Sequence, residues 1–256
     1  MNPEFPRVLT RREAIAAGIA ATAAMLGCTV ESLTGVPATP RLTARPGSPR
    51  FVSAPGLVTL DLHTDRRALL YVPSGYTPSV PAPFVLMFHG AGGSANGPIE
   101  LFRARADELG LLLLACDAHD ETWDRLLGRY GIDTRFVDRA LAAAFDRCNV
   151  DASRVTVEGF SDGATYAIGI GRANGDLFSR VAAFSAGFLL PTKPRGKPDF
   201  FISHGVSDQV LSVENARAFV AVLEQEYNVT YKEFAGGHGV PASIVTEATA
   251  WMTQPR

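Results

Sequence analysis

Short apolar runs alternate along most of the chain with longer stretches in which apolar residues recur at helical spacing. Residues 84–88 and 111–115 are such runs, and they are typical of strands that are buried on both faces of a sheet. Strands that alternate with helices form a mainly parallel sheet with helices on both faces. The sequence therefore predicts an α/β fold.

The same patterns predict where each element lies. The predicted strands are residues 57–62, 68–72, 84–88, 111–115, 154–158, 181–184, 199–203 and 229–234. The predicted helices are residues 99–109, 132–148, 163–173, 213–227 and 241–252. Ser212 is the expected N-cap of the fourth helix, because a serine oxygen accepts from the first free N–H groups. A short turn joins the first two strands, which predicts an eight-stranded sheet with an antiparallel edge.

The N-terminus has the pattern of an export signal. Arg11 and Arg12 precede an apolar run over residues 14–27, which is shorter than the ~20 residues that span a bilayer. Paired arginines before a weakly hydrophobic run are typical of twin-arginine export. We therefore predict that residues 1–27 are removed and that the protein is periplasmic or extracellular. It would be either free or a lipoprotein anchored through a lipid on Cys28.

Residues 28–50 differ in composition from residues 51–256. They are rich in Pro, Thr, Ala, Gly and Arg and show no periodicity. Such a segment is typical of a solvated tether that contributes nothing to a core. The sequence therefore predicts a tether over residues 28–50 and one folded domain over residues 51–256.

Charge and cysteine content exclude several functional classes. A net charge of −2 gives no electrostatic basis for binding nucleic acid. Three cysteines are too few for a disulfide scaffold or a four-cysteine zinc site, and Cys116 and Cys148 are expected at opposite edges of the sheet, unpaired. His63 and His119 show no metal-ligand spacing with another histidine. We expect a monomer without a metal or an organic cofactor.

One motif lies at a strand-to-helix junction. The segment Gly159-Phe160-Ser161-Asp162-Gly163 follows the strand 154–158 and opens the next helix. A serine there lies on a tight turn that presents its hydroxyl at the carboxyl edge of the sheet, with no room for side chains at the two glycines. The helix N-terminus behind it provides free N–H groups for an oxyanion. This context predicts that Ser161 is a nucleophile.

A nucleophilic serine needs a base and an acid that orients the base. In this architecture the chain order is Ser, Asp, His. Asp208 follows the strand 199–203, and His238 lies in a glycine-rich loop after the strand 229–234. The sequence therefore predicts a triad of Ser161, His238 and Asp208. His89 and His204 are instead expected to brace loops through hydrogen bonds to the backbone.

With these motifs the chain resembles an α/β-hydrolase of the phospholipase/carboxylesterase group, with polyester-depolymerase-like and feruloyl-esterase-like relatives. The segments that carry the resemblance are Phe88-His89-Gly90-Ala91-Gly92-Gly93, Thr122-Trp123-Asp124, Gly159-Phe160-Ser161-Asp162-Gly163, His204-Gly205 with Asp208, and Gly236-Gly237-His238. The resemblance implies the α/β-hydrolase fold and a small-molecule or polymer ester as substrate. It also implies an oxyanion hole formed by the backbone N–H groups of Ala91 and Asp162.

The connection from Phe184 to Asp199 is too short for the cap domain that this fold often inserts there. We therefore expect no cap and an open site. Trp123, Phe188 and Leu189 are the residues that we predict to line the substrate pocket.

Other functions remain open at this point. A polyester depolymerase or an acyltransferase would use the same triad, and a surface lipoprotein could keep the fold for binding only. A Rossmann-type oxidoreductase is a further alternative, because the glycine-rich segment 90–95 follows a strand and Asp117 follows the next one. Against it, two strands precede the glycines, and the triad residues would have no role.

Overall fold

The computed structural model describes residues 41–62, 64–128 and 131–255. The predicted export signal, its paired arginines and Cys28 lie outside these residues, as does His63. No helix in the described part of the chain is long and apolar enough to cross a membrane.

Every predicted strand and helix is present, with ends that differ by a few residues. The strands are β1 (Gly56–Thr59), β2 (Ala68–Val72), β3 (Ala82–Phe88), β4 (Leu112–Cys116), β5 (Val150–Phe160), β6 (Arg180–Phe184), β7 (Asp199–Gly205) and β8 (Val229–Phe234). The helices are α1 (Asn96–Leu109), α2 (Ile132–Phe145), α3 (Asp162–Ala173), α4 (Val213–Leu223) and α5 (Ala242–Thr253). A 3₁₀ helix over Asp124–Leu127 was not predicted. Ser212 caps α4 as expected, since its side chain accepts from the Glu214 N–H.

The eight strands form one sheet in the order β1-β2-β4-β3-β5-β6-β7-β8. β2 runs antiparallel to both β1 and β4, and all the other neighbours are parallel. The predicted parallel sheet with an antiparallel edge is therefore confirmed. The carboxyl ends of β3, β5, β7 and β8 share one edge, so the loops that follow these strands meet there.

Helices cover both faces of the sheet. On one face, α1 and α5 pack with residues such as Phe102 and Ile244 against the strands. On the other face, α2, α3 and α4 contribute Phe136, Ile168 and Phe219 to a larger core. This arrangement follows from parallel strands that are apolar on both sides and need cover on both sides.

Part of the predicted tether is packed onto the domain. Leu42 is 1% exposed and belongs to the larger core, and its N–H donates to Asn174 Oδ1 at 3.0 Å. Arg45 pairs with Asp176 at 2.6 Å. The prediction of a solvated tether is therefore wrong at Leu42, whereas residues 47, 48 and 50 are exposed as expected. These contacts join residues far apart in sequence, and such contacts leave no local periodicity to detect.

Cys116 and Cys148 are both buried and free, so the expected absence of a disulfide between them is confirmed. Cys116 ends β4, whereas Cys148 precedes β5 and therefore lies near the opposite edge of the sheet. Burial raises the pKa of each thiol to about 12. Both thiols therefore stay protonated and unreactive at neutral pH.

The connection between β6 and β7 spans residues 185–198 and contains neither a helix nor a named strand. Gly196 makes a single parallel bridge to Gly175 there. As predicted, no cap domain is inserted at this position, and the carboxyl edge of the sheet near Ser161 is not covered by one.

Candidate active site

Ser161 lies on a strained turn between β5 and α3. Its φ of 57° and ψ of −120° place a non-glycine residue in a region of backbone space that favours glycine. Among the described non-glycine residues, only Ser161 and Ser185 have a positive φ. The Ser161 N–H donates to the carbonyl of Phe184 at 2.9 Å, which anchors the turn to the neighbouring strand.

Two glycines make this turn possible. A Cβ atom on Gly159 would lie 2.2 Å from the carbonyl oxygen of Gly163, and a Cβ on Gly163 would lie 2.2 Å from that of Phe88. Both contacts are with backbone, which cannot move aside as a flexible side chain could. The expectation that side chains would clash at these two glycines is therefore confirmed.

The structure brings Ser161, His238 and Asp208 together in one hydrogen-bonded chain. His238 Nε2 lies 2.9 Å from Ser161 Oγ, and His238 Nδ1 lies 2.7 Å from Asp208 Oδ2. Because a carboxylate can only accept, Nδ1 carries the hydrogen and Nε2 of the neutral ring is free to accept. The imidazole is therefore oriented to take the proton of the serine hydroxyl.

Asp208 is held as a carboxylate. Its side chain is fully buried, and burial alone would raise its pKa. The Leu211 N–H, His238 and the Val210 N–H all donate to the carboxylate, and together they bring its pKa below the usual value. The lowered pKa favours the charged carboxylate of Asp208 opposite His238.

His204 contacts the loop after β7, which carries Asp208. Its Nε2 donates to the carbonyl oxygen of Leu211 at 2.8 Å, as predicted for a loop-bracing histidine. Sequence reasoning missed that the same nitrogen also contacts Asp208. His204 and Asp208 are four residues apart in the sequence, where the chain turns at the end of β7. This spacing was the available signal for their contact.

The two backbone segments expected to form an oxyanion hole flank Ser161. A Cβ on Gly90 would lie 3.2 Å from Ser161 Cβ, so the loop that carries Ala91 passes close to the serine. Asp162 is the first residue of α3, where an N–H has no acceptor within the helix. The Asp162 carboxylate accepts from Thr122 Oγ1 at 2.8 Å, and the oxyanion role of the Ala91 and Asp162 N–H groups stays a prediction.

Comparison with solved structures shows which fold the chain has. An S-formylglutathione hydrolase from Agrobacterium tumefaciens matches with a TM-score of 0.62 and 15% identity, over 77% of this chain and 93% of that one. Est1E from Butyrivibrio proteoclasticus matches at 0.56 and 17%, over 77% and 96%. The butyrate-bound esterase Est2 from Thermogutta terrifontis matches at 0.54 and 16%, over 77% and 92%. The chain has the α/β-hydrolase fold. No family model and no curated protein matches its sequence.

Within this fold, His89 and Trp123 support the loop that carries Ala91. The Ala118 N–H donates to His89 Nε2 at 3.1 Å, so His89 Nδ1 carries the hydrogen that it shares with the Gly90 carbonyl at 2.8 Å. Trp123 Nε1 donates to the His89 carbonyl at 2.9 Å. The backbone bonds expected of His89 are confirmed.

Trp123 was predicted to line the substrate pocket, and the structure corrects this. Its side chain is 0% exposed and stacks on Tyr166 with ring centroids 4.9 Å apart. The ring does not line the cavity that adjoins His238, so the structure does not place it against a substrate. Phe188 and Leu189 are half-buried against the larger core, outside the cavity that adjoins His238.

That cavity has a volume of about 480 Å³ and lies between α1 and the loop after β8. Ala91 and His238 form part of its wall, so it opens beside the predicted catalytic atoms. The lining residues that sequence reasoning missed are Pro98, Leu101, Glu158, Phe160 and Val240. The sequence does not show which side chains of a helix, a strand and a loop meet at one cavity. For this reason these lining residues were not predicted.

The glycine-rich segment 90–95 does not have the setting of a dinucleotide site. Asp117 accepts from the Ala95 N–H at 2.8 Å and pairs with Arg67 at 2.9 Å. Its carboxylate therefore ties this loop to the sheet. Among residues 41–62, 64–128 and 131–255, no cluster of three or more His, Cys, Asp or Glu side chains could hold a metal ion.

Proposed function

We propose that this protein is an exported serine esterase that hydrolyses carboxylic esters through an acyl-enzyme. The observation that carries the proposal is the position of His238, which bridges Ser161 and Asp208 at 2.9 and 2.7 Å. The strained turn at Ser161 supports it, because strain of this kind persists only where the surrounding structure enforces it.

In the first half-reaction, Ser161 Oγ attacks the ester carbonyl carbon while His238 Nε2 takes the hydroxyl proton. The charge of Asp208 stabilises the imidazolium that forms. The carbonyl oxygen becomes an oxyanion that accepts from the N–H groups of Ala91 and Asp162. When the tetrahedral intermediate collapses, the C–O bond to the alcohol breaks and His238 returns its proton to the leaving oxygen.

In the second half-reaction, water replaces the alcohol. His238 takes a proton from this water, which attacks the acyl carbon, and the returning proton releases Ser161 and a carboxylic acid. An alcohol in place of water would make the same site an acyltransferase. A site without a cap domain favours small or polymeric esters that approach from solvent.

A panel of p-nitrophenyl esters of increasing acyl length tests the proposal. We expect hydrolysis by the wild type, and a loss of about a thousandfold or more in kcat/KM for Ser161→Ala. Ser179→Ala is the matched control, since Ser179 is a buried serine next to the amino end of β6, away from this edge. A folded Ser161→Ala protein that keeps more than about a hundredth of the activity would contradict the proposal.

Export and lipidation are part of the proposal and need their own test. Replacing Arg11 and Arg12 with lysine should leave the precursor in the cytoplasm, because twin-arginine export depends on the arginine pair. Cys28→Ala should release a lipidated form from the membrane fraction. Membrane attachment that is unchanged in Cys28→Ala would overturn lipidation and leave export standing.

A further inference from the structure

The wall of the substrate cavity contains a carboxyl group for which the proposed mechanism has no role. Glu158 lies on β5, three residues before Ser161, and is 1% exposed. Its Oε2 atom has no hydrogen-bond partner among the described residues. Buried polar atoms in proteins almost always have a partner, so an orphaned carboxyl oxygen beside a cavity requires an explanation.

Glu158 lines the cavity beside α1, and Asp208, in the loop after β7, does not. Side chains alternate along a strand, so Glu158 and Phe160 lie on the same face of β5. Phe160 packs with the cluster that α1 and α5 form on this face, and its ring centroid lies 4.9 Å from that of His238. The carboxyl group is therefore on the side of the sheet where the cavity opens between α1 and His238.

The cavity that Glu158 lines has a largely apolar wall. Its apolar side chains include Pro98, Leu101, Phe160 and Val240, and its polar side chains besides Glu158 are His89, Ser94 and His238. Leu101 is 43% exposed. Burial raises the pKa of Glu158 well above its usual value. Burial therefore favours the neutral form of this carboxyl group, which can both donate and accept a hydrogen bond. Its chemical complement is a hydroxyl group, which also donates and accepts.

We propose that Glu158 determines substrate specificity, by hydrogen bonding to a hydroxyl group on the arm of the ester that enters this cavity. The inference rests on the proposed esterase function and names the substrate class of that site. Three residues of strand span about 10 Å. The recognised hydroxyl therefore lies several carbon atoms from the ester carbonyl.

The test compares pairs of esters that differ only in a terminal hydroxyl or methyl group. For the acyl arm the pair is p-nitrophenyl 6-hydroxyhexanoate and p-nitrophenyl heptanoate. For the alcohol arm it is 4-hydroxybutyl acetate and pentyl acetate. The readout is the ratio of kcat/KM for the hydroxyl ester to that for the methyl ester, so a general change in activity cancels.

Glu158→Leu should lower this ratio about tenfold or more on one arm, because the hydroxyl then enters the cavity without a partner. Glu158→Gln should keep the ratio near the wild-type value, since an amide also donates and accepts. Thr156→Val is the matched control. Thr156 is 0% exposed on the same face of β5, its hydroxyl also lacks a partner among the described residues, and it does not line the cavity.

A ratio that Glu158→Leu leaves unchanged on both arms would overturn the inference. If Glu158→Gln lowers the ratio as much as Glu158→Leu does, Glu158 is not a neutral acid that hydrogen bonds to the substrate. Fluorophosphonates with hydroxyl-ended and methyl-ended alkyl arms separate this inference from the proposed function. If Ser161 is labelled but no ester is hydrolysed, the esterase proposal fails and the ratio of labelling rates still tests Glu158. If neither reaction occurs, both proposals fail.

Discussion

His204 Nε2 lies 3.2 Å from Asp208 Oδ2, the same oxygen that is 2.7 Å from His238 Nδ1. The two side chains of the His204–Asp208 pair are fully buried. Nε2 donates its hydrogen to the Leu211 carbonyl at 2.8 Å, and the Leu211 N–H in turn donates to the Asp208 carboxylate at 2.9 Å. Through Leu211, His204 therefore restrains the carboxylate that orients His238.

We predict that His204→Leu lowers kcat about twofold to tenfold, because the Leu211 carbonyl loses its donor and a typical hydrogen bond is worth about 0.5–1.5 kcal/mol. KM should stay the same, since the residue acts only through Asp208. His204→Gln should recover most of the loss, because its amide can place an N–H near the position of Nε2. Steady-state kinetics of both variants checks this, and a loss that glutamine does not recover would mean that His204 only fills space.

Asp208→Asn removes the charge that stabilises the imidazolium. We expect kcat/KM to fall about a thousandfold or more while the fold survives. Asp176→Asn is the control, because Asp176 is an acid that pairs with Arg41 and Arg45 and lies outside the site. Initial rates on a p-nitrophenyl ester separate the two. An Asp208→Asn enzyme that is nearly unimpaired would assign the orienting role to another acid.

Leu42→Ala tests whether the segment 41–50 stabilises the domain. Removing most of a leucine side chain that is 1% exposed should cost about 2–4 kcal/mol in the free energy of unfolding. Val52→Ala is the matched control, because Val52 is 70% exposed and should change stability by less than about 0.5 kcal/mol. Urea unfolding of both variants gives the comparison. Equal, small effects would show that the segment contributes nothing.

The sequence was sufficient to predict the sheet and the meeting of Ser161, Asp208 and His238. Each of these residues follows a segment that could be recognised as a strand, and parallel strands bring the loops after their carboxyl ends to one edge. Their order along the chain then selected one architecture among those that use such residues. The signals were local, and the topology of the sheet brought them together.

The features that the sequence did not predict depend on contacts between distant segments. Glu158 sits in an apolar strand pattern, and only the packing of α1 shows that a cavity reaches it. Leu42 is a single apolar residue, and its burial against the core leaves no periodic signal. Trp123 belongs to a motif near the site, but its stacking on Tyr166 turns the ring inward, and no spacing along the chain reports that direction.

Glu158 should make the free energy of unfolding depend on pH. Burial is the cause that raises its pKa in the folded protein, and the titratable side chains that share its cavity are those of His89 and His238. A carboxyl group whose pKa is raised by folding contributes stability below its unfolded pKa of about 4.3, and this contribution is lost as the pH rises through the folded pKa. Glu158→Gln cannot titrate. The variant should therefore gain stability relative to the wild type as the pH rises from 4 to 8.

Urea unfolding at several pH values between 4 and 8 measures this difference. Both proteins keep His89 and His238, so the substitution at position 158 is the only difference between them. Thr156→Val serves as the control, because it changes a buried, non-titrating side chain on the same face of β5 and its difference from the wild type should not vary with pH. If the difference for Glu158→Gln were also constant, Glu158 would ionise in the folded protein as readily as in the unfolded chain. The carboxyl group would then be a charged acceptor, and its proposed complement would have to be a cation instead of a hydroxyl.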